Sequence, residues 1–186
     1  MSTVEERCRG SFLGLAWGDA FGCPLEGWWD SARIQAVYPN YQHLPHRHPF
    51  AKLAKEEGGR LRQVRPLGIY SDDTQQAMAL LNTCLEGWQP WRWAQWIVSA
   101  TKHGAWRGEG RSFQTAAQRL THKSQDPRHA GYPLCSQGIG AAMRTAPLGA
   151  LHRDDPQALQ RVVWESSLMT HSSLPAASSA YAISLA

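Results

Sequence analysis

Alternation of apolar with polar residues, the mark of a half-buried strand, is almost absent from this chain. Without strands there is no sandwich, barrel or doubly wound sheet, and the fold expected is all-α, a compact multi-helix bundle. No apolar run approaches the roughly 18 residues that would mark a transmembrane helix, so no membrane partner is expected. Cysteine is scarce. Cys8, Cys23, Cys84 and Cys135 form no CxxC zinc spacing, and no basic segment leads into an apolar export signal. Reduced thiols and a cytoplasmic location are expected. A Walker loop is missing, and no glycine turn follows a strand, which removes nucleotide-triphosphate and Rossmann readings.

What is present suits one folded domain of 186 residues, with 42% hydrophobic and 18% charged residues, unlike the composition of disorder. Nineteen Lys and Arg against 15 Asp and Glu give a net charge of +4. That excess is matched within residues 43–65, where Arg47, Lys52, Lys55, Arg60, Arg62 and Arg65 face only Glu56 and Glu57. Such a stretch could attract nucleic acid, but no nucleic-acid motif accompanies it, and a solvated basic loop at about 38–66 is the preferred reading.

Apolar residues three or four apart predict a helix over 4–22, with Gly10, Gly14, Gly18 and Gly22 on one stripe. Each glycine costs a helix about 1 kcal/mol against alanine, so an offsetting gain is expected: close approach of another backbone at Gly10 and Gly14, and a site near the end, where Gly18-Asp19-Ala20 leads into Gly22 and Glu26. A short helix is expected near 31–37. Further helices are predicted over 72–86, ended by Gly87; over 91–103, introduced by Pro90 and closed by Gly104; and over 112–122, capped by Ser112. Residues 126–133 read as a turn-rich connector. Asp155-Pro156 starts a helix reaching about residue 170, and Ser173-Leu174-Pro175 starts the last. That final helix has no C-cap signal and reads as cut off.

Ser71-Asp72-Asp73-Thr74 offers two carboxylates and two hydroxyls where irregular chain becomes helix. Hard divalent cations favour such oxygens. The same residues also suit a helix N-terminus, with Asp72 and Gln75 resembling a capping box, so both readings stand on the tetrapeptide alone. Gly138-Ile139-Gly140 is a turn whose amides could cradle phosphate oxygens. His171 follows a helix, where a histidine is more often a structural hydrogen-bonder than a catalyst, and Glu26 lies shortly after the first helix.

In this order, Gly18-Asp19-Ala20-x-Gly22 with Glu26, then Tyr70-Ser71-Asp72-Asp73-Thr74, then Gly138-Ile139-Gly140-Ala141-Ala142-Met143-Arg144 with Pro147-Leu148-Gly149, then Thr170-His171, the chain resembles the ADP-ribosylglycohydrolase family, which includes the dinitrogenase reductase activating glycohydrolases. The resemblance implies an all-α hydrolase with two Mg2+ or Mn2+ ions, cleaving the bond between ADP-ribose and a protein or small-molecule acceptor. It makes Ser71, Asp72 and Asp73 metal ligands and Glu26 the catalytic acid or base. Asp19, Gly138, Ile139 and Gly140 fall among the substrate-binding residues, as does His171 on the adenosine side.

Two departures from the family pattern matter. Its second metal motif, Asp-x-Asp-Thr, lies well after the histidine, whereas residues 172–186 contain no carboxylate. Ile139 stands where the family often has a polar residue such as Asn. The chain is therefore expected to be an incomplete single domain over 1–186. The alternative to an enzyme is a truncated, non-catalytic homologue that binds ADP-ribose or a protein partner.

Overall fold

A computed structural model describes residues 3–23, 26, 30–37, 68–122, 126–133 and 138–186. The predicted basic loop and Cys135 lie outside them. The fold is all-α. Its eight α-helices among the described residues are α1 (Val4–Gly22), α2 (Ser31–Val37), α3 (Asp72–Leu85), α4 (Pro90–Lys102), α5 (Arg111–Thr121), α6 (Ala146–Leu151), α7 (Pro156–Leu168) and α8 (Leu174–Leu185).

Local chemistry explains most of their ends. Thr3 and Glu6 close a capping box at the start of α1, through Glu6 N to Thr3 Oγ1 at 3.1 Å and Thr3 N to Glu6 Oε2 at 2.7 Å. Asp155 caps α7 by accepting from Ala158 N at 2.9 Å, and Ser173 caps α8 by accepting from Ala176 N at 3.3 Å. Gly87 and Gly104, at φ 88° and 58°, turn the chain out of α3 and α4 in the left-handed region that side chains resist.

Three expectations need correction. Helix α5 begins two residues earlier than a cap at Ser112 would place it, with Gly110 as N-cap and no side-chain cap bond. The short α6, entered through Pro147, was not anticipated; six residues hold too little periodicity to announce a helix. Among the described residues, nothing outside α1's own nearby backbone lies within 4 Å of a Cβ placed at Gly10 or Gly14, so the close backbone partner expected for these two is not among them.

The core is shared by α3, α4, α5, α7 and α8, with Leu80, Trp93, Ile97, Phe113, Val163 and Met169 buried together. Trp106 meets Phe113 edge to face, with ring centroids 5.1 Å apart. α1 packs on α6 and α3 and leaves Leu13 and Trp17 exposed. The connector at 126–133 forms a 3-10 turn at Pro127–His129 and a two-residue strand, Tyr132–Pro133, which pairs in parallel with His171–Ser172. This small pairing fixes the backbone of His171. Among the described residues no helix is long and apolar enough to cross a membrane.

Candidate functional site

The N-terminus of α3 is the most heavily bonded point of the site. Ser71 is its N-cap, and the serine hydroxyl accepts from Asp73 N at 3.2 Å while donating to Asp73 Oδ2 at 2.9 Å. Asp19, near the end of α1, reaches across with a single oxygen. Its Oδ2 accepts from Ser71 N at 2.8 Å, Thr74 N at 3.1 Å and the Thr74 hydroxyl at 2.6 Å. Asp72 N donates to Arg107 O at 3.2 Å, so every amide of the first turn has an acceptor.

That arrangement corrects the capping-box expectation. Gln75 does not return to Asp72; its amide donates to Ala105 O at 2.8 Å and accepts from Arg107 N at 2.9 Å, strapping the loop after α4 onto α3. The Arg107 guanidinium lies 4.8 Å over the Tyr70 ring and adds to the strap. Capping is completed by Ser71, Asp19 and Arg107. The Asp72 carboxylate, 4% exposed, instead accepts from Gln76 Nε2 at 2.7 Å.

Asp19, Ser71, Asp72, Asp73 and Gln76 line a cavity of about 950 Å³. Every residue singled out from the sequence borders it: Asp19 and Glu26 from the end of α1 and just beyond, Ser71, Asp72 and Asp73 from the start of α3, Gly138, Ile139 and Gly140 from the glycine turn, and His171 from the turn after α7. Gly14, Gly18 and Gly22 also face it, so the stripe borders open space rather than another backbone. Glu26 is exposed, and Ile139 sits at the rim with 72% of its surface accessible.

Sequence reasoning missed the part played by Gln76, which also lines the cavity, and by Arg144, which it quotes only as the end of the glycine-turn motif. Gln76 and Arg144, both 0% exposed, join the acidic end of the cavity to its histidine. Arg144 donates to Gln76 Oε1 at 2.7 Å, to Ser166 O at 2.8 Å and to the Thr170 hydroxyl at 2.7 Å. Its guanidinium lies 5.3 Å over the Trp93 ring. Burial pulls its pKa down to about 9, which leaves it charged at neutral pH; Asp72 acts in the opposite direction.

Thr170 Oγ1 lies 2.9 Å from His171 Nδ1. Burial, then the charge of Arg144, pushes His171 down to about 4, so the ring is neutral under ordinary conditions. Its other edge faces Gly140. A Cβ there would stand 2.6 Å from Cε1 and 2.8 Å from Nε2 of the imidazole, so any side chain at 140 requires the buried ring to shift. Gly140→Ala is therefore expected to cost about 2 kcal/mol through overpacking, read as a lower melting temperature, with displaced His171 ring resonances. Unchanged resonances would contradict this contact.

The oxygens of Ser71, Asp72 and Asp73 are of the kind a hard divalent ion takes. Among the described residues no three His, Cys, Asp or Glu side chains gather to hold a metal, so these donors fit one side of an ion site.

A model of the ADP-ribosylglycohydrolase family matches residues 1–186. An uncharacterized protein of Archaeoglobus fulgidus is 30% identical over 190 residues, which cover 98% of this chain and 55% of that protein. A chain of a solved "ADP-ribosylglycohydrolase-related protein complex" superposes with a TM-score of 0.67 at 24% identity, covering 97% of this chain and 54% of that one. The chain thus spans about half the length of these relatives.

Proposed function

The chain belongs to the ADP-ribosylglycohydrolase family, and from that premise we propose that its cavity is the substrate side of a metal-dependent hydrolase acting on the glycosidic bond between ADP-ribose and a protein or small-molecule acceptor. One observation carries the reading: four segments far apart in sequence, ending α1, starting α3, forming the glycine turn and following α7, border the same cavity.

Ser71, Asp72 and Asp73 would hold Mg2+ or Mn2+, two ions in the intact family site, with remaining positions falling to water, substrate or residues outside this chain. A bound divalent ion supplies Lewis-acid stabilisation and fixes ribose hydroxyls and a water. The protein's own residues do the rest. Gln76 holds Asp72 Oδ2, and Ser71 holds Asp73 Oδ2, so the acidic wall is oriented before ligand arrives. Amides at Gly138 and Gly140 suit diphosphate oxygens, because backbone N–H groups bind anions without side-chain charge. Exposed at the cavity edge, Glu26 can exchange protons with solvent and serve as the acid or base for the departing acceptor. The neutral imidazole of His171 can hydrogen-bond the adenosine side without repelling or attracting charge.

Titration calorimetry of Mn2+ and of ADP-ribose into this chain tests the reading, with Asp72→Ala/Asp73→Ala as comparison. Ion binding by the wild type should be weak, on the order of millimolar, because the donor set is partial. It should fall at least tenfold in the double variant. Equal ion binding by both would sink the ligand assignment. ADP-ribose binding that ignores EDTA would favour a non-catalytic binding module.

A further inference from the structure

We propose that Arg144 is a positioning residue of this site, holding Asp72 on one wall of the cavity and His171 on the other through one buried chain of hydrogen bonds. The inference rests on the reading of the cavity given above and deepens it. Arg144 closes the 3-10 turn Ala142–Arg144 that directly follows the glycine turn, so its backbone belongs to one wall while its side chain runs behind the others.

Each link is short. Toward α3, Arg144 Nη1 donates to Gln76 Oε1 at 2.7 Å, and Gln76 Nε2 donates to Asp72 Oδ2 at 2.7 Å. Toward α7, Nη2 donates to Ser166 O at 2.8 Å and Thr170 Oγ1 at 2.7 Å, and Thr170 Oγ1 meets His171 Nδ1 at 2.9 Å. Gln76 and Thr170 are as fully buried as Arg144.

The chemistry sets directions along this chain. A guanidinium only donates, so it forces the carboxamide oxygen of Gln76 toward itself and the NH2 toward Asp72. Reversed, Gln76 would set donor against donor at Arg144 and acceptor against acceptor at Asp72. Arg144 thereby fixes which way Gln76 faces, and Gln76 fixes Asp72.

Stability alone gives no reason for such a residue. The three acceptors of Arg144 are an amide oxygen, a carbonyl and a hydroxyl, all neutral, and its Nε has no hydrogen-bond partner. Taking a charge out of water is costly, and neutral acceptors with Asp72 as the opposite charge acting on it offset that cost only in part. Geometry does give a reason: the rigid planar fork of the guanidinium presents its donors in fixed directions, toward Gln76 on α3 and toward Ser166 and Thr170 at the end of α7, where lysine has only rotatable donors on one nitrogen.

Carbon-13 detection of the Asp72 carboxyl and nitrogen-15 detection of the His171 ring, with Mn2+ affinity beside them, test the proposal in Arg144→Lys, Arg144→Met, Gln76→Leu and Thr170→Val. Both Arg144 variants are expected to shift both resonances, and lysine is not expected to restore either. Gln76→Leu and Arg144→Met should each weaken Mn2+ binding about tenfold, the usual effect of losing a group that holds a metal ligand. Thr170→Val leaves Arg144 and Gln76 in place and should shift His171 while Asp72 stays near its wild-type position, whereas Gln76→Leu should shift Asp72. Folded Arg144 variants with both resonances at wild-type positions would overturn the proposal. So would a Gln76→Leu protein whose Asp72 signal is unmoved, or a Thr170→Val protein whose His171 signal is unmoved, whether or not the Arg144 variants fold. A wild type that binds no Mn2+ would count against the ion reading of the cavity, while the two resonances still decide the role of Arg144.

Discussion

Asp19→Ala is expected to destabilise the chain by about 3 kcal/mol and to lower its melting temperature by roughly 6 to 12 °C, followed by circular dichroism. One carboxylate oxygen accepts three hydrogen bonds from Ser71 and Thr74, two of them backbone amides at the start of α3. Alanine leaves all three donors without that partner in a part-buried place, and unmade bonds there cost more than made ones contribute. Charge matters too, because a carboxylate at a helix N-terminus offsets the positive end of the helix dipole. Asp19→Asn keeps an acceptor oxygen and loses the charge, so its cost should be smaller, about 1 kcal/mol. An alanine variant within about 0.5 kcal/mol of wild type would mean that Asp19 does not clamp α3. Because the same bonds hold Ser71 and Thr74 on either side of Asp72 and Asp73, loosening them should also weaken ion binding.

How far this arrangement is legible in the sequence depends on how local its causes are. Helix α1 was readable to its ends because its apolar spacing and its termini lie within the helix itself. The caps at Asp155 and Ser173 and the stops at Gly87 and Gly104 are local in the same way. Gly110 in place of Ser112 shows where such signals mislead: Ser112 has the right chemistry, but the helix is already under way when the chain reaches it. The glycine stripe is legible only in part: Gly18 and Gly22 border the cavity beside Asp19, as a site there requires, while Gly10 and Gly14 meet no backbone of another element among the described residues. Four-residue spacing says that one face of α1 is bare, and it cannot say whether a backbone or a cavity lies opposite.

The candidate site divides along the same line. The motif residues were found because each stands beside others of its motif, and the cavity they share was not visible in any one of them. Partners of Asp19 are 52 and 55 residues away, and those of Arg144 are 68, 22 and 26 away. No local pattern marks such pairs. Arg144 stands in the glycine-turn motif, and the signal for its role is that it is a charge among Ala141, Ala142, Met143 and Pro147, in a stretch otherwise suited to burial. A cation in that setting needs acceptors from elsewhere in the fold.

His171 leads to the second large effect: as pH falls from about 6.5 to about 4, this residue alone should remove roughly 3 kcal/mol of folding stability. In the folded chain its pKa is pushed down to about 4, by burial first and by Arg144 second, against 6.5 when unfolded. Above 6.5 neither state binds the proton, and stability is indifferent to it. Between the two values the unfolded chain takes up a proton that the folded one refuses, so the balance moves toward unfolding. Below about 4 both are protonated and the loss is complete. Urea midpoints across this range, compared between wild type and His171→Gln, isolate the residue. His152, also lowered by burial, contributes equally to both proteins and cancels. Asp126, lowered to about 2 by Arg128, loses its contribution only below its ordinary value of 3.8, under most of the histidine window. The wild type should fall more steeply than the glutamine variant between pH 6.5 and 4. Parallel curves would mean that His171 takes its proton as readily folded as unfolded, which the ring's 3% exposure and its place between Thr170 and Gly140 argue against.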